Sequence, residues 1–165
     1  MQETSAENLP ADSDIDLHVP AQRTELVRAP WGILVSISVG GAIGAIARWG
    51  IATAFPSPPD GFPWATFAIN VTGCLLIGAL MVVVTDVWAE QKLIRPFLGV
   101  GVLGGYTTFS TYIVDIQRLI NDNAAAIALA YLTGTVVAAL CATTAGIAVT
   151  RFAIRRRRTE METSR

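Results

Sequence analysis

Four stretches of the sequence are rich in apolar residues and contain no charged residue. They cover residues 29–47, 61–85, 96–114 and 123–150. An α-helix rises about 1.5 Å per residue, so roughly 20 apolar residues cross the hydrocarbon core of a bilayer. Each stretch is long enough to do so with some tilt. The pattern therefore predicts an all-α membrane protein with four transmembrane helices, at about Trp31 to Phe55, Trp64 to Val87, Pro96 to Val114 and Ala124 to Phe152.

The third span is predicted to be broken at its middle. Its central sequence, GVGVLGGYTTFSTYI from Gly99 to Ile113, places the adjacent pair Gly104 and Gly105 before a cluster of hydroxyl residues. Glycine weakens a helix by about 1 kcal/mol relative to alanine, and threonine is also a weak helix former. In lipid, irregular backbone survives only where protein buries it or where it lines a wet cavity. Because interrupted spans often present backbone groups to an ion, this segment indicates an ion site near the bilayer midplane.

The composition agrees with one membrane domain between two polar tails. Apolar residues make up 52% of the chain, and charged residues make up 15%, below the roughly 25% of soluble domains. We predict a disordered acidic N-terminal tail over residues 1–28, a four-span domain over residues 29–152 and a basic cytoplasmic C-terminal tail over residues 153–165.

A few polar residues lie within or beside the apolar stretches and leave alternatives open. Arg48 either snorkels to the interface or lies in a water-filled vestibule that attracts an anion. Asn70 must face protein or water, so it either bonds a neighbouring helix or lines an ion path. Tyr131 and Thr135 share a face of the fourth span, and Thr143 extends this polar stripe. Each threonine hydroxyl can instead bond a carbonyl of its own helix.

Several function classes are disfavoured. The single histidine, His18, lies in the N-terminal tail, so the spans offer no histidine-based metal site. Cys74 and Cys141 form no disulfide or metal spacing and are expected to be free thiols. The sequence shows no nucleophile with a base and no metal cluster, so we predict that it is not an enzyme. A small drug/proton exchanger needs an embedded carboxylate, yet Asp86 and Asp115 lie only at the edges of uncharged stretches.

Two further alternatives concern the glycines and the basic tail. A bundle whose glycines only pack helices explains the GxxxG of Gly40 and Gly44, but it does not explain the interrupted third span. The arginine run over residues 155–158 has the composition of a nucleic-acid patch. Because it follows a span directly, contact with anionic lipid is favoured instead, and no nucleic-acid partner is predicted.

The basic residues also predict an orientation. With four spans, both termini and the second loop lie on one side, which then holds ten of the twelve Lys and Arg residues. Only Arg48 and Arg118 belong to the other side. The positive-inside rule therefore predicts a multi-pass protein of the plasma membrane with both termini in the cytoplasm.

Three motifs together resemble those of the Fluc/CrcB family of fluoride channels. They are GGAIGAIARW from Gly40 to Trp49, TFAINVTG from Thr66 to Gly73 and GVLGGYTTFSTY from Gly101 to Tyr112, the last being the most specific. The resemblance covers about residues 31–152. It implies an antiparallel dimer with two fluoride pores and a structural Na⁺ at its centre. It also implies a passive exit of cytoplasmic fluoride that lowers the toxicity of this ion.

The same resemblance implies roles for particular residues. The backbone carbonyls of Gly104 and Thr107 would hold the Na⁺, and Arg48 would lie in the vestibule. The implied fluoride path consists of amide, hydroxyl and aromatic residues, namely Asn70, Thr108, Phe109, Ser110, Thr111, Tyr112, Tyr131, Thr135 and Thr143. The chemistry agrees, because polar hydrogens can replace the water around a small anion and aromatic rings offer a positive edge. Carbonyl oxygens likewise suit a hard cation.

Two features depart from the family pattern. The second pore aromatic is Tyr112, where the family more often has phenylalanine, and its hydroxyl needs a partner. The strong basic bias predicts a single orientation in the membrane. We therefore expect a heterodimer with an oppositely oriented paralogue, with a homodimer as the alternative.

Overall fold

The chain folds into four helical spans. The computed structural model describes residues 31–58, 61–86 and 93–163. For residues 158–163 it describes the backbone alone. The helices are α1 (Trp31–Ala54), α2 (Trp64–Asp86), α3 (Arg95–Leu103), α4 (Gly104–Tyr106), α5 (Ser110–Asn121) and α6 (Ala125–Thr163). Helices α3 to α5 together form the third span, and all four spans are long and apolar enough to cross a membrane. The predicted all-α, four-span architecture is confirmed, whereas the tail over residues 1–28 lies outside the described residues.

The third span is interrupted two residues beyond its glycine pair. Helix α3 has π-helical winding, and α4 follows it without a break, since Gly104 has helical dihedral angles of φ −65° and ψ −37°. The backbone then becomes extended at Thr107, with φ −77° and ψ 159°. The interruption therefore lies at the cluster of hydroxyl residues that follows the glycines, within the segment predicted to be broken. Gly105 instead allows close packing, because a Cβ there would overlap the carbonyl oxygen of Gly41.

Helix α1 packs against the third span through small residues. Gly40 and Gly44 are the buried residues of α1. A Cβ on Gly44 would collide with the carbonyl oxygen of Val102, and a Cβ on Gly101 would lie 3.0 Å from the Cα of Gly40. Small residues at this spacing let helices approach closely in lipid. The GxxxG of α1 thus positions α1 against the segment that leads into the interruption.

Helices α2 and α6 lie side by side and run in the same direction. A Cβ on Gly78 would overlap the carbonyl oxygen of Thr143, and a Cβ on Gly146 would overlap that of Leu75. Helix α6 also continues past residue 152, the predicted end of the fourth span, and reaches Thr163. The first part of the basic C-terminal segment is therefore helical.

Helices α5 and α6 share a buried aromatic and aliphatic cluster. Its members are Tyr112, Leu119, Ala128 and Tyr131. The helix that carries Tyr112 continues to Asn121, so Asp115 lies well inside the third span. The helix of the third span thus continues beyond Val114, where the uncharged stretch ends, and Leu119 on α5 is still fully buried.

Candidate functional site

The side-chain amide of Asn70, on α2, holds the interruption of the third span in place. Its Nδ2 donates a hydrogen bond to the carbonyl oxygen of Thr108 over 2.9 Å, and the N–H of Thr108 donates to its Oδ1 over 2.9 Å. In a continuous helix, that N–H would bond the carbonyl of Gly104. The bonding of a neighbouring helix, one of the two alternatives for Asn70, is therefore observed. The second N–H of the amide can still serve another acceptor.

The hydroxyl of Thr108 caps the helix that follows the interruption. The N–H of Thr111 donates to Thr108 Oγ1 over 3.2 Å, and this oxygen also lies 3.4 Å from the hydroxyl of Ser110. A side-chain oxygen that accepts an N–H of the first turn is the usual stabiliser of a helix start. In a continuous helix the N–H of Thr111 would instead bond the carbonyl of Thr107. The carbonyls of Gly104 and Thr107 have therefore both lost their helical donors.

Arg48 reaches the interrupted span from α1. Its Nε donates to the carbonyl oxygen of Gly105 over 3.1 Å. Arg48 also lines a cavity of about 350 Å³, to which Thr66, Thr108 and Thr111 contribute. The guanidinium group thus lies beside hydroxyl groups at the interruption, an arrangement that fits the vestibule alternative better than the snorkelling one.

A larger cavity, of about 410 Å³, also lies beside the interruption. Seven of the predicted site residues line it, namely Asn70, Gly104, Thr107, Thr108, Phe109, Tyr112 and Thr135. Thr135 is 5% exposed, and its hydroxyl has no hydrogen-bond partner within the part of the chain that the structure describes. Because an unpaired buried hydroxyl is costly, this group is suited to bind a polar occupant of the cavity.

The two predicted pore aromatics differ in their surroundings. The side chain of Phe109 is 75% exposed, whereas Tyr112 is 4% exposed, and their ring centroids lie 5.9 Å apart. The hydroxyl of Tyr112 donates to the carbonyl of Leu132 on α6 over 2.6 Å. The partner that the sequence analysis required for this hydroxyl is therefore a backbone carbonyl of the neighbouring span.

Other predicted path residues lie elsewhere. Tyr131 is fully buried in the core, where its ring centroid lies 5.1 Å from that of Tyr112. Thr143 donates to the carbonyl of Ala139 in its own helix over 3.0 Å. Ser110 and Thr111 belong to the capped start of α5. The structure thus does not place Tyr131, Thr143, Ser110 or Thr111 among the residues that line the larger cavity.

The sequence analysis missed a polar cluster around Asp115. Thr66 Oγ1 donates to Asp115 Oδ2 over 2.8 Å, and the hydroxyl of Tyr131 donates to the same oxygen over 3.5 Å. Arg118, one turn further along α5, lies 3.8 Å from Asp115 Oδ1. The spacing of Asp115 and Arg118 was the available signal. A cation and two hydroxyls surround this carboxylate, an arrangement that fits a structural ion pair better than the proton carrier of an exchanger.

Comparison with known proteins gives a family model and close relatives. The model described as CrcB-like protein, Camphor Resistance (CrcB), matches residues 35–147. Fluoride-specific ion channel FluC 2 of Nocardia farcinica is 53% identical over 121 residues, which cover 73% of this chain and 86% of the relative. FluC 2 of Streptomyces avermitilis is 48% identical, covering 73% and 77%. FluC 3 of the same organism is 41% identical, covering 76% and 62%.

Proposed function

The chain belongs to the CrcB family of ion channels, and from this premise we propose that it conducts fluoride along the cavity beside the interrupted third span. The observation that carries the proposal is the double hydrogen bond between Asn70 and Thr108. It holds the backbone open within the span, where polar groups otherwise have no water to bond. The names of the relatives, fluoride-specific ion channels, support fluoride as the ion.

The cavity offers the chemistry that a small, strongly hydrated anion requires. The unpartnered hydroxyl of Thr135 and the second amide hydrogen of Asn70 can replace water molecules around fluoride. Phe109 and Tyr112 can present their positive ring edges. An anion that moves down its gradient needs only such a path, so no energy source is invoked. Because the neutral acid HF crosses membranes and releases fluoride inside, passive exit would lower the toxicity of fluoride to the cell.

An antiparallel dimer with two pores completes this proposal. Phe109 is a large apolar side chain that is mostly exposed although it lines the cavity. A second subunit that covers this flank would bury Phe109 and close the path on its open side. Two equivalent paths would then lie on the two sides of the shared interface.

A structural Na⁺ at the dimer centre fits the carbonyl groups of the interruption. The N–H groups that would bond Gly104 and Thr107 in a continuous helix donate instead to Asn70 and to Thr108 Oγ1. Both carbonyls are thereby available, and Gly104 has open space around the position of a Cβ. Carbonyl oxygens suit a hard monovalent cation, whose charge would also offset the burial of an anion nearby.

The orientation of the subunit bears on the identity of its partner. Ten of the twelve basic residues belong to the two terminal segments and the second loop of the sequence, and with four spans this distribution favours cytoplasmic termini at the plasma membrane. Streptomyces avermitilis carries relatives named FluC 2 and FluC 3, so paralogues occur together in one organism. A heterodimer with an oppositely oriented paralogue accommodates both observations, and a homodimer is the alternative.

Fluoride efflux from liposomes, followed with a fluoride electrode, tests the proposed function. The purified chain is reconstituted alone and together with the paralogue from its own organism, and chloride efflux serves as the control for leak. Selective fluoride efflux in either reconstitution supports the channel. Efflux that needs both chains supports the heterodimer, whereas robust efflux by the lone chain rejects it. No fluoride efflux from either reconstitution, with both proteins correctly inserted, would reject the channel.

A further inference from the structure

A third cavity, lined mostly by charged residues, lies where α2 ends and where α6 leaves its apolar stretch. Its volume is about 290 Å³, and Asp86, Arg151, Ile154 and Arg155 line it. None of these residues lines the two cavities beside the interruption. The proposed fluoride path therefore gives this cavity no role.

Both helices change from apolar to charged at the level of this cavity. The uncharged stretch of α2 ends at Thr85, and that of α6 ends at Thr150. The two helices run side by side in the same direction, with Gly78 packed against Thr143, so their charged ends reach the same depth. A charged boundary directly after a span marks the level at which lipid headgroups begin.

Apolar side chains adjoin the charged ones on α6. Val149 is 67% exposed and Phe152 is 68% exposed, and both lie within one turn of Arg151. Exposed apolar residues at the end of a span face acyl chains. Within the cavity itself, Ile154 lies beside the two arginines, so an occupant meets an apolar side chain as well as cationic groups, as a phospholipid at the headgroup level does.

The two arginines have the register and chemistry of a phosphate site. Arg151 and Arg155 are four residues apart, so they project from the same face of α6. The planar guanidinium group matches phosphate oxygens with two parallel hydrogen bonds. The carboxylate of Asp86 lines the same cavity and opposes the binding of an anion there.

We propose that this cavity binds the phosphodiester of one anionic lipid from the surrounding bilayer. The positions of Arg151 and Arg155 at the end of the apolar stretch and on one helical face carry the inference. It is independent of fluoride conduction, because lipid binding can be measured without any ion flux.

Native mass spectrometry of the full-length protein, released from detergent and titrated with defined lipids, tests the proposal. Phosphatidylglycerol is expected to remain bound where phosphatidylcholine does not. The variant R151Q/R155Q should bind phosphatidylglycerol roughly 10- to 30-fold more weakly, since each basic residue near an anionic headgroup contributes about one kcal/mol.

The variant R156Q/R157Q is the matched control, because it removes the same charge from the same helix outside the residues that line the cavity. Its binding of phosphatidylglycerol should fall clearly less than that of R151Q/R155Q, because Arg156 and Arg157 do not line the cavity. An equal loss in the two double variants would overturn the proposal, because it would indicate a diffuse attraction to the whole basic segment. Unchanged binding in R151Q/R155Q would overturn it as well.

Two further arms identify the occupant and guard against misfolding. Inorganic phosphate added with phosphatidylcholine should not bind, and its retention would assign the cavity to a soluble anion instead. Asp86→Asn removes a repulsive charge without adding bulk, so it should tighten the binding of phosphatidylglycerol severalfold. Unchanged or weaker binding in this variant would count against the cavity, even if R151Q/R155Q failed to fold.

Discussion

The hydroxyl of Tyr112 on α5 donates a hydrogen bond of 2.6 Å to the backbone carbonyl of Leu132 on α6. This bond links the helix that follows the interruption to the fourth span. It also fixes an aromatic ring that makes tilted contacts with the rings of Phe109 and Tyr131. The hydroxyl of Tyr112, which distinguishes this residue from the phenylalanine more frequent in the family, therefore has a defined hydrogen-bond partner.

Removing this hydroxyl should weaken the attachment of the Tyr112 ring to α6, while the ring continues to line the cavity. Tyr112→Phe is expected to lower the free energy of unfolding by about 1 kcal/mol, the usual net value of one hydrogen bond. Fluoride efflux should persist, because the ring edge remains. Thermal unfolding and electrode-based efflux of the same preparation check both expectations. A complete loss of efflux would mean that the hydroxyl itself contacts the ion.

Replacing Asn70 by Asp should abolish fluoride efflux. The carboxylate can still accept the N–H of Thr108, but it cannot donate to the Thr108 carbonyl, and it adds a negative charge beside an anion path. Thr133→Ala is a suitable control, since the Thr133 hydroxyl bonds the carbonyl of Leu129 in its own helix. Efflux at the wild-type rate in Asn70→Asp would exclude Asn70 from the path.

Phe109→Ile should stop efflux while leaving assembly intact. The exposed ring contributes little to the core of the subunit, so the fold should tolerate the change. Isoleucine lacks a polarised ring edge that could face an anion. Size-exclusion chromatography of the variant, followed by the efflux assay, separates the two effects. Normal flux in a correctly assembled Phe109→Ile variant would remove this ring from the mechanism.

Thr135→Val should lower fluoride efflux without lowering the free energy of unfolding. The buried hydroxyl has no hydrogen-bond partner in the described part of the chain, so its loss should leave the free energy of unfolding unchanged or slightly higher. Efflux should fall at least tenfold if the hydroxyl replaces water around fluoride. Thr133→Val, which removes a hydroxyl bonded within its own helix, is the matched control. Equal efflux in both variants would contradict the role of Thr135.

Gly44→Ala should disrupt the packing of α1 on the third span. The new methyl group would collide with the carbonyl oxygen of Val102 and lie 2.7 Å from the backbone nitrogen of Tyr106. Overpacking against backbone that cannot move costs about 1–3 kcal/mol or more. Gly41→Ala is the control, since its Cβ would meet nothing within 4 Å. Thermal unfolding in detergent should separate the two variants clearly, and equal stabilities would contradict this packing.

The sequence by itself determined the four spans and the presence of an interruption. Both follow from local chemistry, because uncharged stretches of sufficient length enter lipid and clustered glycine and hydroxyl residues weaken a helix. The motif around Phe109 likewise pointed to the CrcB family, which the family match confirms. These features need no knowledge of which residues meet in space.

Only the tertiary structure decided how the interruption is held and which groups face the cavity. The amide of Asn70 replaces helical bonds at Thr108, 38 residues further along the chain, and Arg48 bonds Gly105 across 57 residues. The hydrogen bond between the Tyr131 hydroxyl and Asp115 was not predicted either, because a polar group in a span takes whichever partner packing brings near. Hydrogen bonds between distant residues leave no periodic trace in the sequence, so span positions could be predicted while the site geometry could not.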